Sequence, residues 1–481
     1  MNNKEQTVGD YPLQKRFFYY GLLVGIIGGV LLSSFLVGIS LFLGLYFIGL
    51  VWRKDEVPIF VYSITKIWIG IATGFLFLEV YGYYPGFGSN YGNIEDMIIY
   101  SLGGLFFLIF GIRAGISILK PRLKFQPEVV QSSQDKYRIS LLFFWVILLN
   151  SFNWFTTFSP NASAFNYAQF LYRLLDFRTI LFYLLLLTVL RQREGYLYAV
   201  VAFLFVWFPS LVSERSSFSW HIIIIFLVLM SAWKPWAKER IDRRRTFRIT
   251  IYGTLVASLL VGMALLWNGG MKFIWRATFN EQTANISQTE RIKNFFEIAN
   301  ASIDQFSFEK AFDMNAGRLS SGSYYCSFVI ERVPDVIPYE DGFMIGRAIR
   351  HILMPRFLFP EKENLGKDSW LVRKYAGQPA SDTASIGLGF IPQFYIDFGV
   401  IGIILGCLFL GILIGILYIG IFLWSPSYLF AISAGAVFIG NFADYDIELA
   451  KLLGAFINSF IIFCFLLRTF GYWLHKRLII K

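Results

Sequence analysis

Apolar runs of roughly 17 to 25 residues, the length that crosses about 30 Å of hydrocarbon, recur along this chain and constrain it more than any other feature. Twelve are found, near residues 17–34, 35–52, 58–80, 97–118, 139–158, 170–190, 195–211, 219–233, 249–268, 398–423, 427–443 and 453–470. One soluble core cannot bury them, since 56% of the 481 residues are hydrophobic and 19% are aromatic. The runs are continuous and do not alternate in polarity, which fits helices better than a barrel. The expected fold is an all-α polytopic membrane protein of 12 transmembrane helices.

Lys and Arg in short loops stay on the cytoplasmic side, so the cations orient this bundle. Lys15 and Arg16, Arg53 and Lys54, Lys120 to Arg138, Arg191 and Arg193, Lys234 to Arg248 and the tail His475 to Lys481 all fall on one side. The opposite loops, such as "YGYYPGFGSNYGNIED" at 81–96, are rich in Tyr, Gly and Asn and poor in cations. A hairpin at Ser33 and Ser34 returns Arg53 to the cytoplasm, and both termini are expected there.

The net charge of +11 reflects this asymmetry and anionic headgroups, and nucleic acid is not an expected partner. The first apolar run lacks a small-residue exit and leads into another span, so no cleavable signal peptide is expected. Cys326 falls outside the spans, and Cys407 and Cys464 fall within them. His221, His351 and His475 are scattered, so neither a disulfide framework nor a metal centre is expected. No P-loop or dinucleotide glycine pattern and no internal repeat is present, and no cofactor is expected.

The main break is residues 269–397, by parity an extracytoplasmic loop domain between a nine-span bundle (1–268) and spans ten to twelve with a basic tail (398–481). Its first part has capping-box spacing in "SQTE" at 287–290, followed by a rough helical stripe from Ile292 to Phe306 that is read as a helix packing on the membrane face or on other external helices. From Pro334 onward Pro and Gly break the chain into shaped loop. Arg318, Arg332, Arg347, Arg350, Arg356, Lys362, Lys367, Arg373 and Lys374 collect there, on the side that positive-inside bias disfavours. Arg347, Arg350 and His351 have helical spacing, and "MPRFLFP" sets Arg356 between two stiffening prolines. A guanidinium fork matches diphosphate oxygens with paired charge-assisted hydrogen bonds. "LVSERSSFSW", between the seventh and eighth runs, adds Glu214 and Arg215 at the outer membrane edge, and Arg173 and Arg178 are near the outer part of the sixth.

"SERSSF" before an apolar run, then a long loop with "RAIRHILMPRFLFPEK", "VRKYAG" and "ASIGLGFIPQFYIDFGVIGIILG", resembles the bacterial O-antigen and oligosaccharide repeat-unit polymerases over roughly residues 200–405. The resemblance implies an enzyme of the membrane-embedded glycosyltransferase C superfamily acting on polyprenyl-diphosphate-linked sugars outside the cytoplasmic membrane. It matches Arg215 to the arginine opening the span after the short outer loop, and Arg356 to that of the "PR-x-x-x-P-x-K" segment. Relatives often carry a carboxylate where this chain has Gln393, so a base there by analogy is replaced at best by nearby Asp397.

In the reaction so implied, one lipid-linked glycan donates its reducing-end sugar to a hydroxyl of another, and the lipid diphosphate leaves. Preorganised arginines stabilise the charge that builds on it, without a metal. The catalytic candidates are Arg215, Arg356, Arg318 and Asp382. The substrate-binding candidates are Arg350, Arg347, Arg373, Lys374, Tyr375, Asp397 and Asp444. The base is left open among Asp382, Asp397, Asp444 and Asp446. "ADYDIE" at 443–448 reads first as a solvated loop or sugar-binding rim, and Tyr375, Phe390 and Tyr395 read first as packing. The expected partners are the donor and acceptor glycolipids and membrane lipids, with a chain-length regulator and a flippase as further candidates. Two other classes remain open: a glycan ligase with the same donor, and a lipid-linked oligosaccharide flippase, for which Lys66 and Arg113 are the main basic residues within spans.

Overall fold

The computed structural model describes residues 11–52, 59–119, 137–158, 168–192, 194–212, 306–354, 368–381, 386–440 and 445–479, with a few isolated positions besides. Among them the regular elements are all helical: α1 (Tyr11–Leu31), α2 (Phe35–Val51), α3 (Ile59–Tyr81), α4 (Ile94–Leu119), α5 (Ile139–Phe158), α6 (Ala168–Gln192), α7 (Tyr196–Val212), α8 (Phe308–Arg332), α9 (Phe343–Leu353), α10 (Phe390–Trp424), α11 (Tyr428–Gly440), α12 (Leu449–Leu466) and α13 (Tyr472–Leu478). A helical turn at Ser369–Leu371 runs into a π-helical turn at Val372–Ala376, and a second π turn, Leu467–Gly471, joins α12 to α13. Among the described residues four helical stretches are long and apolar enough to cross a membrane, Ile59–Tyr81, Ile94–Leu119, Phe390–Trp424 and Leu449–Leu478. The expected runs at 219–233 and 249–268 and the stripe from Ile292 to Phe306 lie outside the described residues, a few isolated positions aside.

The chain forms two compact units. The first comprises Met1–Gln126, Ala316–Trp424 and Phe438–Cys464. It opens with the expected hairpin. Ser34 caps α2 by accepting from Val37 N at 3.4 Å, and α1 packs antiparallel on α2 with Gly25 against the Gly38 carbonyl and Phe18 edge-on to Phe42. Asn93 caps α4, accepting from Asp96 N at 3.2 Å and donating to Asp96 Oδ2 at 2.7 Å.

The closest approach is between α4 and α10. A Cβ on Gly111 would sit 2.2 Å from the Leu408 carbonyl, one on Gly115 2.2 Å from that of Ile412, and one on Gly411 2.2 Å from that of Leu108. Paired small-xxx-small steps let two backbones touch where lipid supplies no hydrophobic drive, and dispersion with Cα–H···O contacts takes over. The partners climb together, Gly104 by Ile403 and Gly415 by Ile112, so the two helices run parallel. α10 breaks at Phe398 (φ −145°, ψ 21°) and Gly399 (φ 62°, ψ −146°), where a left-handed φ favours glycine and the Tyr339 hydroxyl fills the side where a Cβ would project. The break falls where the apolar run was expected to begin.

The part of the polar insertion that belongs to this unit is buried against the apolar helices. Ser320, Ser323 and Ser327 of α8 are inaccessible, Ser323 Oγ donates to the Gly70 carbonyl at 2.9 Å, and Tyr84 meets Ser323 Oγ at 2.6 Å. The loop between α3 and α4 lies along α8, with Phe87 stacked on Tyr324 at 4.0 Å and Asn93 N donating to the Ser327 carbonyl at 3.1 Å.

The second unit comprises Pro127–Asn315, Ser425–Val437 and Phe465–Lys481. Its centre is Tyr137, fully buried, whose hydroxyl meets Ser427 Oγ at 2.9 Å and His475 Nδ1 at 2.7 Å while its carbonyl accepts from Gln192 at 3.1 Å. Arg138 N donates to the Leu478 carbonyl at 2.9 Å. The start of α5, the end of α6 and the basic tail therefore meet at one end of this unit, as the charge pattern groups them.

Candidate functional site

In the first unit, three segments far apart in sequence meet where α10 and α12 begin. The short helical part of α10 before its break carries Gln393 and Asp397, four residues apart and so on one face. Gln393 Oε1 accepts from Leu449 N at 3.0 Å, capping α12. Asp397 accepts from Met344 N and Ile345 N, both at 2.9 Å. α9 has Gly342 at its N-cap and no capping side chain of its own, so a carboxylate from another helix satisfies its first turn and complements its dipole.

α9 then delivers Arg347 to a buried ion cluster. Arg347 Nη2 lies 2.6 Å from Asp368 Oδ1, and Nη1 lies 3.9 Å from Glu448 Oε2. Lys451 Nζ, one turn into α12, lies 3.0 Å from Asp368 Oδ2 and 4.0 Å from Glu448 Oε1. The Arg347 guanidinium also lies over the Trp370 ring at 5.6 Å. Glu448 is wholly inaccessible, and neither of its oxygens has a hydrogen-bond donor if the carboxyl is ionised. A proton resolves this, because a neutral Glu448 donates to Asp368. Burial, with the Asp368 carboxyl beside it, pushes Glu448 from 4.5 up to about 9. Burial also works against the Asp368 charge, but the hydrogen bond from Glu448 and the Lys451 and Arg347 cations hold it below its ordinary value. The pair therefore carries one proton and one negative charge at neutral pH.

The π turn places the next cations. Arg373 Nη1 donates to the Ala380 carbonyl at 2.6 Å, and Lys374 Nζ to Glu340 Oε1 at 2.6 Å. The Lys374 hydrogen bond lowers the Glu340 carboxyl. Tyr375 is fully buried and donates to the same Glu340 oxygen at 2.7 Å, and burial with that bond raises its phenol. Wide helical turns of this kind recur at functional sites. Beside them, Tyr395 stacks on Tyr100 at 5.9 Å and meets Tyr339 edge-on at 6.2 Å.

The sequence candidates thus divide. Arg347, Arg373, Lys374 and Tyr375 come together around the cluster, with Asp397 anchoring the helix that carries Arg347. Arg318 on α8 and Arg350 on α9 are exposed. Asp446 is exposed, and Arg215, Arg356, Asp382 and Asp444 lie outside the described residues. Tyr375 is enclosed by its neighbours. Sequence reasoning did not single out Asp368, Lys451, Glu340 or Glu448 itself. Glu448 was in view as the last residue of "ADYDIE", and an acid directly before an apolar run at a helix start was the available signal. Among the described residues no group of three or more His, Cys, Asp or Glu side chains is arranged to hold a metal ion.

Residues 114–443 match a family model described as a domain of unknown function. No curated protein and no solved structure matches the chain.

Proposed function

The chain belongs to that family, DUF8712, and we propose that it is a membrane-embedded glycosyltransferase that polymerises polyprenyl-diphosphate-linked oligosaccharide repeat units on the extracytoplasmic face of a bacterial cytoplasmic membrane. The observation that carries this reading is the gathering of Arg347, Lys451, Arg373 and Lys374 at the start of α10 and α12. Arg347 and Lys451 share Asp368 and Lys374 pairs with Glu340, and with Glu448 favouring its protonated form the four cations outnumber the Asp368, Glu340 and Asp397 carboxylates beside them. A cationic, partly dehydrated site at the end of apolar helices fits a lipid-borne diphosphate. In the transfer, the bond from the donor's anomeric carbon to the diphosphate oxygen breaks and one to the acceptor oxygen forms. The acceptor's proton passes to a base, and the diphosphate leaves with the electron pair.

The topology proposed is that of the cation pattern: twelve spans, both ends cytoplasmic, and residues 269–397 on the outer side with α8 sunk between the apolar helices. Arg215 and Arg356 are proposed to grip the diphosphate, and Asp382 or Asp444 to accept the proton. Asp397 is occupied in capping α9. One observation weighs against a flippase. Arg113, a basic residue inside an apolar helix, donates to the Leu50 and Val51 carbonyls at the end of α2, which gives it a structural use. A glycan ligase shares the donor chemistry and is the second reading. The deciding experiment is the lipid-linked glycan pool of a deletion strain. Single repeat units accumulating on the outer leaflet are expected. Accumulation on the inner leaflet would mean a flippase, and long polymer left on its lipid carrier a ligase.

A further inference from the structure

α9 presents an arc of exposed residues that does not suit water. At about 100° per residue, Ile349, Leu353, Gly346, Arg350 and Phe343 fall on one continuous arc, while Met344 and Ala348 point the other way and are buried. Ile349, Leu353 and Phe343 are 48%, 72% and 45% exposed, so a single guanidinium sits among three large apolar side chains. A solvated arc carries charges at such positions.

The placement of the helix says what covers this arc. Its first turn is capped by Asp397 and abuts the exposed Phe398 ring, which comes within 3.2 Å of a Cβ built on Gly342. Near its other end His351 reaches Gly454, in the second turn of α12, at 3.7 Å from a Cβ there. α9 is thus strung across the starts of two apolar helices. Phe398 begins a row on α10, Phe398, Ile401, Leu405 and Phe409, exposed at 46%, 67%, 46% and 64% and spaced three or four residues apart. That row is the outward stripe of a candidate span, and the first turn of α9 meets it at Phe398.

We propose that α9 is an interfacial helix lying in the headgroup layer of the bilayer face at which α10 and α12 begin. Phe343, Ile349 and Leu353 sink among the upper acyl chains, and Arg350 hydrogen-bonds a phospholipid phosphate while its methylene stem stays in the apolar layer. The flank of the helix next to Phe343 carries Arg347 into the buried ion cluster, so α9 fixes that cluster at the level of the membrane surface. This inference is independent of the reaction the cluster serves.

The test uses the full-length chain in nanodiscs of phosphatidylethanolamine and phosphatidylglycerol, spin-labelled at Ile349→Cys or Leu353→Cys, the native Cys326, Cys407 and Cys464 being buried. Power saturation compares collision with dissolved oxygen and with a water-soluble nickel chelate. Both labels should favour oxygen, close to a label at Ile401→Cys and unlike one at the exposed Ser381→Cys. Arg350→Gln should lower phosphatidylglycerol retained after purification by about fivefold, the factor for roughly 1 kcal/mol per basic residue at an anionic surface. Nickel accessibility at both positions equal to that at Ser381→Cys would overturn the proposal. So would dipolar broadening between labels on two molecules, which would give the arc to a second copy of the chain.

Discussion

Burial and the Asp368 carboxyl beside it favour the protonated form of Glu448, which leaves one negative charge on the pair. The native state binds this proton up to about pH 9, whereas the unfolded chain releases it near 4.5. Stability should therefore fall as pH rises through that window and level off above it. Glu448→Gln keeps the neutral shape, so its thermal midpoint should lose this slope and exceed that of the native chain at pH 8. If Glu448 were instead an ionised partner of Arg347, the substitution would lower the midpoint, and thermal melts across pH separate the two. Transfer to a lipid-linked acceptor should decline above about pH 9 in the native chain as the cation excess shrinks, and this decline should be absent in Glu448→Gln. Arg356→Lys keeps charge and loses the fork. Under the proposed role it should cost about 2 to 4 kcal/mol in the transition state, or about thirty- to a thousandfold in rate, with normal protein level. The arginines of the insertion were legible one by one, because cations on the disfavoured side stand out. The partnership of Arg347 with Asp368, Glu448 and Lys451 was not, since it depends on residues about 20 and 100 positions away that nothing in local spacing connects.

Among the elements, α9 depends on a cap it does not own. Asp397→Ala removes the acceptor of two backbone N–H groups, and about 0.5 to 2 kcal/mol should be lost. Amide exchange should quicken at Met344 and Ile345 first, with Arg347 displaced from Asp368. Uniform exchange across α9 unchanged from the native chain would show the cap to be idle. The seam of α4 and α10 is less forgiving. Gly411→Leu places a side chain where backbone carbonyl already stands, 2.2 Å from the Leu108 oxygen, and should cost about 1 to 3 kcal/mol or more. Its loss of the folded band in detergent should exceed that of Gly103→Leu on the partner helix α4, where a Cβ meets nothing. Most helix limits were legible to within a few residues, because apolar length is the signal and the apolar runs nearly coincide with the helices. The pairing of α4 with α10 was not, because glycines mark a close approach without naming the partner.

At the scale of the molecule, the parallel course of α4 and α10 constrains how the chain is threaded. With both across the bilayer, α4 ends on the side opposite to the start of α10, so residues 120–389 must cross an odd number of times. The five apolar runs assigned to that stretch satisfy this. Impermeant thiol reagent applied to intact cells should modify a cysteine at the exposed Ser381 and leave one at the exposed Arg16 unmodified, and the reverse pattern would invert the proposed orientation. Ser320 makes a poor probe although it belongs to the polar insertion, since α8 buries it completely. That burial was hidden in the sequence, where the serines sit in a polar insertion, and it goes with Gly70 on α3, which leaves room for the Leu319 carbonyl of α8. The glycine seam has a consequence for synthesis as well. Gly115 and Gly415 are 300 positions apart, so at about 5 to 20 residues per second the groove on α4 waits about 15 to 60 s for its partner to emerge. During that interval lipid tails or an insertase must line it, and the nascent chain is open to mispairing with any other glycine-faced helix, the α1 and α2 hairpin being the nearest at hand.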